Sequence, residues 1–419
     1  MIHFSRIVRP TSLALTLAAT TIFAAQDQSW TRFRGPGGYG LAENAHVPAE
    51  FKDGDIAWKI ELPGRGHSSA VVSNGTVYLT AESDKPGSRL LLAYGLKDGK
   101  EIWRHESAFE NYKLHKLYNS FASATPALDA DRVYMCWASG SGVDVMAVDH
   151  KGKEVWQKRS IIGFDSEHGT GGSPVLAGGV LVVVSENTQE SAIFGLKPAT
   201  GEILWKLPRP LVRTSFSTPT VRTLANNTEE VIISSAFTGI IGLNPTNGKV
   251  NWEFAPGTIK HRAVSSPVLL GENGVFATYG EGGGGKNSVA IQMPSPGGGT
   301  QVKPMYSFTK DIPYVPTPLS YHGLLYILTD GGLFYVHKSV TGERVYGDRL
   351  MGKFFSSPIL AGDKIFALTQ NGILYSLAPG DKFNLLGKTE LGEETFATPT
   401  VAENSLLVRG VKHLWKLGK

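Results

Sequence analysis

Apolar positions along this chain fall into short runs, and many of the runs alternate with polar residues. The first clear set lies at Ser69 to Ser73, Val77 to Ala81, Leu90 to Leu96 and Glu101 to His105. Such runs, alternating or continuously apolar, are the pattern of β-strands buried on one or both faces. Gly, Asn and Asp punctuate them. The pairs Asp98-Gly99 and Asn247-Gly248 suit tight hairpins, whose central residues need positive φ. Helical periodicity is nearly absent, so the pattern predicts an all-β chain built from four-stranded units.

Two phrases repeat around these strands. A turn followed by an aromatic closes a unit: "DGKEIW" at Trp103, "KGKEVW" at Trp156, "TGEILW" at Trp205, "NGKVNW" at Trp252, and more faintly "TGERVY" at Tyr346. A small or hydroxyl residue followed by Pro opens the next, at Pro126, Pro174, Pro219, Pro267, Pro318, Pro358 and Pro399. An eighth copy, "HSSAVV", carries Ala70 in place of Pro. Eight units of ~40–56 residues is the period of four-stranded propeller blades. The expected fold is an eight-bladed β-propeller of antiparallel blades. A tryptophan at a fixed blade position is read as filler of the wedge between blades, its N–H satisfied locally, and not as a ligand platform.

The two ends of the chain complete each other. After Pro399 there is sequence for three strands only. The missing fourth is "IAWK", residues 56–59, where Trp58 takes the slot of Trp103. The N-terminal strand is therefore expected to complete the C-terminal blade and leave no open sheet edge. A lead-in of residues 26–55 precedes it.

Residues 1–25, with Arg6 and Arg9 before an apolar run from Thr11 to Ala25, have the layout of a secretory signal peptide. Residues 26–419 are then one exported domain, periplasmic or extracellular, with neither a membrane span nor a lipid anchor expected. Without Arg6 and Arg9 the formal charge drops from +4 to +2. No basic run interleaved with aromatics occurs, so nucleic acid is not an expected partner. Cys136, the single cysteine, sits in the apolar run Val133 to Trp137 and is expected to be a buried, inert thiol.

The phrases "GKEIW", "TGEILW" and "SSPVL" resemble the repeats of pyrroloquinoline-quinone-like eight-bladed propellers. The start "WTRFRGPGGYG" with the later "IAWKIELPGRGHSSAVV" is similar to exported planctomycete-type proteins with such repeats. Two better-understood groups share the resemblance. Quinoprotein alcohol dehydrogenases hold the quinone and a calcium ion and typically carry an adjacent-cysteine disulfide, which one cysteine cannot form, so neither PQQ nor calcium is expected. BamB, the non-catalytic outer-membrane assembly protein, is similar in length and blade count, but its lipid-bearing cysteine is missing.

In a propeller the D-to-A connections and B-to-C loops share one face around the channel mouth, and function collects in elaborate loops. Here the D-to-A connections vary most. They supply Arg65 and His67; His115, Lys116 and Asn119; Asp165, Glu167 and His168; Arg213 and Ser215; His261 and Arg262; then Tyr314, Phe354 and Phe355. The B-to-C loops add Glu186, Gln189, Glu281 and Lys286. His168 and His261 each precede their blade's proline by six residues. With no short-spaced ligand motif, no metal site is assigned. "GEGGGGK" lacks the ending of a phosphate loop and reads as a flexible loop over the mouth.

Carboxylates and amides of this kind hydrogen-bond sugar hydroxyls, arginines grip carboxylates, and histidines serve acid–base chemistry. The expected function is a non-catalytic binding or scaffold propeller whose polar funnel takes a protein or glycan. The alternative is a hydrolase or lyase acting on carbohydrate through the His and carboxylate cluster. A quinone-dependent dehydrogenase is the third reading.

Overall fold

The computed structural model describes residues 29–418 except 116, 167, 211–212, 258, 260, 283 and 296–298. The predicted leader, residues 1–25, and two members of the predicted polar set, Lys116 and Glu167, lie outside the described residues. Eight antiparallel sheets follow one another around a ring. In blade 1 the strands, A to D from the axis outward, are Val71–Ser73, Thr76–Glu82, Ser88–Gly95 and Glu101–Ala108. The A strands of blades 2 to 8 start at Ala127, Val175, Thr220, Val268, Leu319, Ile359 and Thr400.

The eighth blade closes as the repeat implies. Strand Ile56–Glu61 pairs antiparallel with His413–Leu417, with Lys59 opposite Trp415. It runs two residues longer than the predicted 56–59.

Blades adhere through the repeated aromatic. The indole N–H of Trp58 donates to Leu96 O at 3.0 Å, Trp103 to His150 O at 2.9 Å, and Trp156 and Trp205 to Pro198 O and Pro245 O at 2.8 Å. Every acceptor lies on the C-to-D turn of the next blade. The turn glycine rests on the indole face: a Cβ on Gly201, at φ +69°, would meet the Trp156 ring at 2.5 Å. The repeat Gly therefore follows from the repeat Trp. Blade 5, which lacks the tryptophan, fills the slot with Tyr306, whose hydroxyl donates to Ser339 O at 2.8 Å. Trp252 instead donates to buried Glu230 of its own blade at 3.1 Å.

The lead-in is a plug. Trp30 makes paired backbone bonds with Val72 of blade 1, and Leu128 N of blade 2 donates to Thr31 O. Arg32 donates to Pro219 O of blade 4, and the Tyr39 hydroxyl to Val221 O at 2.6 Å. Arg34 donates to Pro358 O at 2.9 Å and to Tyr39 O and Pro318 O at 3.1 Å. Leu41–Ala42 then adds a short parallel strand inside blade 7, against Leu360 and Ala361. The chain crosses the channel at the end of the A-to-B turns and leaves past Asn404, which accepts His46 N–H at 2.9 Å. Phe51 N–H reaches Thr389 in the outer strand of blade 7, and the closing strand follows.

Candidate functional site

Each A strand is preceded by the hydroxyl residue of the repeat: Ser69, Thr125, Ser173, Thr218, Ser266, Thr317, Ser357 and Thr398. All eight are buried and all line one axial cavity of about 140 Å³. The proline that follows seven of them has no N–H to satisfy, which suits a strand's first residue. The hydroxyls knit the blades together. Backbone N–H of Ser69 donates to the Thr125 oxygen, Thr125 to Ser173, and Ser173 to Thr218, each at 3.0 Å. Ser266 donates to Thr317 at 3.0 Å, Thr317 to Ser357 at 2.9 Å, and Ser357 to Thr398 at 3.0 Å. The two remaining seams, between blades 4 and 5 and between 8 and 1, use a threonine two residues further on. Thr220 donates to Pro267 O and Thr400 to Ala70 O, both at 2.6 Å.

The lining of this chamber also includes Ser123, Phe33 of the plug, Phe216, Phe355, Phe396 and His67. His67 stacks on Phe396 with centroids 4.2 Å apart, and Phe355 lies 5.2 Å from Phe396. Arg65 Nη2 lies 3.5 Å from His67 Nε2. Burial first, then the positive fields of Arg65 and Arg409, hold the His67 imidazole down at about 3. It is neutral at physiological pH. The unfolded chain protonates this residue below about 6.5 while the folded one does not, so it binds the extra proton there. His67 therefore contributes stability that is complete above pH 6.5 and is lost as pH falls from 6.5 toward 3. Urea midpoints of wild type and His67→Phe at pH 7 and pH 4.5 check this: the variant loses less stability on acidification, and equal losses would overturn the assignment.

The other predicted residues separate into three groups. At the D-to-A loops of blades 1 and 2, Asn119 Nδ2 donates to His115 O at 2.9 Å and lies 3.1 Å from His168 Nδ1. His115 and His168 centroids are 6.0 Å apart; His115 also stacks on Tyr118, which stacks on Phe355 from across the ring at 5.7 Å. Across blades 4 to 6, Glu281 pairs with Arg213 and lies 3.7 Å from His261 Nδ1. Arg262 and Gly280 exchange backbone hydrogen bonds, and Tyr314 sits against Gly280. Lys286, the end of "GEGGGGK", starts a strand and pairs with Asp330 at 2.7 Å.

Glu186 belongs to neither. It is 3% exposed, accepts from Ser235 Oγ at 2.7 Å and lies 3.4 Å from Arg209 Nε, with Oε2 unpartnered. Burial raises its carboxyl above the usual range. Gln189, three residues on, is exposed. Among the described residues no three His, Cys, Asp or Glu side chains converge as a metal site requires. Burial pushes the Cys136 thiol up to about 12, which leaves it un-ionised. In sequence the Ser/Thr-Pro phrase reads as punctuation between blades and not as channel lining; its seven copies, with Ser69-Ala70 as the eighth, are the signal for the lining.

An eight-bladed ring with these docking aromatics and Ser/Thr-Pro inner strands is a propeller of the quinoprotein-like class. The chain belongs to the family of the outer membrane protein assembly factor BamB, whose family pattern matches residues 42–161 and 87–297. Its structure is similar to BamB from Moraxella catarrhalis, at 14% identity over 86% of this chain and 96% of that one, with a TM-score of 0.60. It is also similar to quinohemoprotein alcohol dehydrogenase from Comamonas testosteroni, at 14% identity over 94% and 81% of the two chains, TM-score 0.65. A europium-containing methanol dehydrogenase gives 13% identity over 92% and 90%, TM-score 0.69. At such identities these structures share the fold alone. No curated protein sequence matches the chain. Among the described residues no helix is long and apolar enough to cross a membrane.

Proposed function

We propose that this protein is an exported, non-catalytic propeller that docks a protein partner on the face of its D-to-A loops. The supporting observation is a contrast between engaged polar groups and exposed apolar ones. Glu186 is buried, Glu281 is tied to Arg213, and His67 lies neutral beneath Phe396. Around the same mouth Leu117, Tyr118 and Met351 are 64%, 45% and 70% exposed. Aromatic and methionine anchors inside a polar rim are the composition of protein interfaces. Membership in an assembly-factor family supports the same reading. The chamber, about 140 Å³ with no carboxylate in its lining, favours a function without PQQ or calcium, since organic cofactors occupy pockets of ~300–1,000 Å³.

A photo-crosslinking residue at Leu117 or Met351 of the full-length protein, in the cell envelope of its own host, tests the proposal. Val340, 69% exposed on a C-to-D turn of the opposite face, is the control. The expected result is a discrete protein adduct from 117 and 351 and none from 340. In vitro, Leu117→Asp with Met351→Asp weakens that complex about 30-fold or more, as loss of an interface hot spot does. Equal adducts from all three positions overturn the proposal. So does glycan turnover that collapses in a folded His168→Ala variant.

A further inference from the structure

We propose that the axial chamber is a binding site for a small monovalent anion, held by serine and threonine hydroxyls inside a collar of buried guanidinium groups. The hydroxyl ring supplies the donors. Six of its oxygens spend a lone pair on the neighbouring blade's N–H, and among the described residues none of the eight hydroxyls donates to a protein acceptor. Ser69 and Ser266, at the two seams where the ring changes pattern, accept nothing from it. They belong to blades 1 and 5 and so face each other across the axis. Ser69 Oγ is buried with no partner at all, a costly state for a hydroxyl.

Three buried arginines stand behind the chamber wall, outside its lining. Arg34 is anchored on Pro318 O and Pro358 O, Arg32 on Pro219 O, and Arg409 on Ser68 O at 3.0 Å and Ser68 Oγ at 2.7 Å. Each anchor is the immediate chain neighbour of a ring residue. All three arginines are buried, and none makes an ion pair among the described residues. The acidic groups whose fields reach them, Glu229 for Arg32 and Glu82 for Arg409, bond to Gly178 N–H and Phe121 N–H. Arg409 keeps Nε and Nη2 buried without partners. No Asp or Glu lines the chamber, and His67 brings no charge to it. Hydroxyls alone serve water, cation or anion equally well. Guanidinium charge with no carboxylate bonded to it, set behind a low-dielectric wall, selects the anion. About 140 Å³ admits a halide, nitrate or formate with a few waters at ~30 Å³ each.

Two measurements on the intact protein test this. Crystals equilibrated with sodium bromide are expected to show an anomalous peak on the axis, within hydrogen-bonding distance of Ser69 and Ser266. In solution the calorimetric midpoint should rise saturably with bromide, nitrate or formate, and not with gluconate, too bulky for the chamber, at equal ionic strength. Ser69→Ala with Ser266→Ala removes two hydroxyls and none of the ring's inter-blade bonds, and should weaken the bromide effect about tenfold or more. A chamber holding only water at high bromide overturns the proposal. So does a midpoint that follows total salt regardless of anion, or an axial peak with no saturable effect in solution. If the double variant does not fold, the bromide map of the wild type decides.

Discussion

Trp58→Ala lowers stability by about 3–5 kcal/mol, the cost of truncating a buried tryptophan, and more than the same change at Trp156. Both indoles donate to the next blade's C-to-D turn and carry a turn glycine on their faces. They differ in what holds their strands. Trp156 sits in a strand that continues its own blade by a short turn. Trp58 sits in Ile56–Glu61, whose partner strand, His413–Leu417, lies at the other end of the chain. Losing Trp58 therefore loosens the one seam that no turn tethers. Differential scanning calorimetry of the two variants gives the comparison. Equal midpoints would mean that the ladder between the closing strand and its partner, rather than the indole, carries the closure.

Arg34→Ala is expected to cost about 3 kcal/mol, and here two effects oppose. The substitution strips hydrogen bonds from two buried carbonyls, those of Pro318 and Pro358, and from the part-buried carbonyl of Tyr39, at roughly 1–2 kcal/mol each. It also removes a charge that burial disfavours, since desolvation pulls the Arg34 guanidinium down to about 9. The carbonyls prevail because an alanine leaves them without a donor, and it also empties the space into which Gly40 packs so closely that a Cβ there would lie 2.7 Å from Nη2. Arg34→Lys keeps the charge and loses the fork, and should recover less than half of the loss. A stabilised Arg34→Ala protein would show instead that the uncompensated charge dominates.

The blades were legible because they repeat. Seven hydroxyl–Pro phrases, the eighth copy "HSSAVV" and the Trp-bearing turns set the blade count, and the orphan "IAWK" set the closure, since a missing strand in a counted series has only one place to go. The plug was not legible. "WTRFRGPGGYG" occurs once, carries no alternation, and is held by arginines reaching carbonyls in blades 4, 6 and 7, partners that no local pattern encodes. Tyr306 escaped notice for the opposite reason, because its blade swaps the marker residue while keeping its position. Among the candidate site residues, loop membership gave the face and not the direction. Glu186 and Gln189 share one B-to-C loop, yet one is buried and the other exposed. His67 lost its charge to burial and to the fields of Arg65 and Arg409, the last more than three hundred positions away.

The pairing of the first blade-forming strand with the last has a consequence for how the molecule comes into being. Seven blades take their four antiparallel strands from contiguous sequence, blade 7 adding only the short lead-in strand Leu41–Ala42, and can assemble as soon as their residues are available. The eighth joins segments about 360 residues apart, so the final ladder forms only after synthesis or translocation has released the whole chain. Until then Ile56–Glu61 and the last three strands are bare edges, exposed to pairing with other chains. The rate-limiting event of folding should therefore be this long-range closure. A circular permutant that opens the ring at a D-to-A connection, with the natural ends joined, makes the four strands of every blade follow one another in sequence, and should fold faster without changing the native blades.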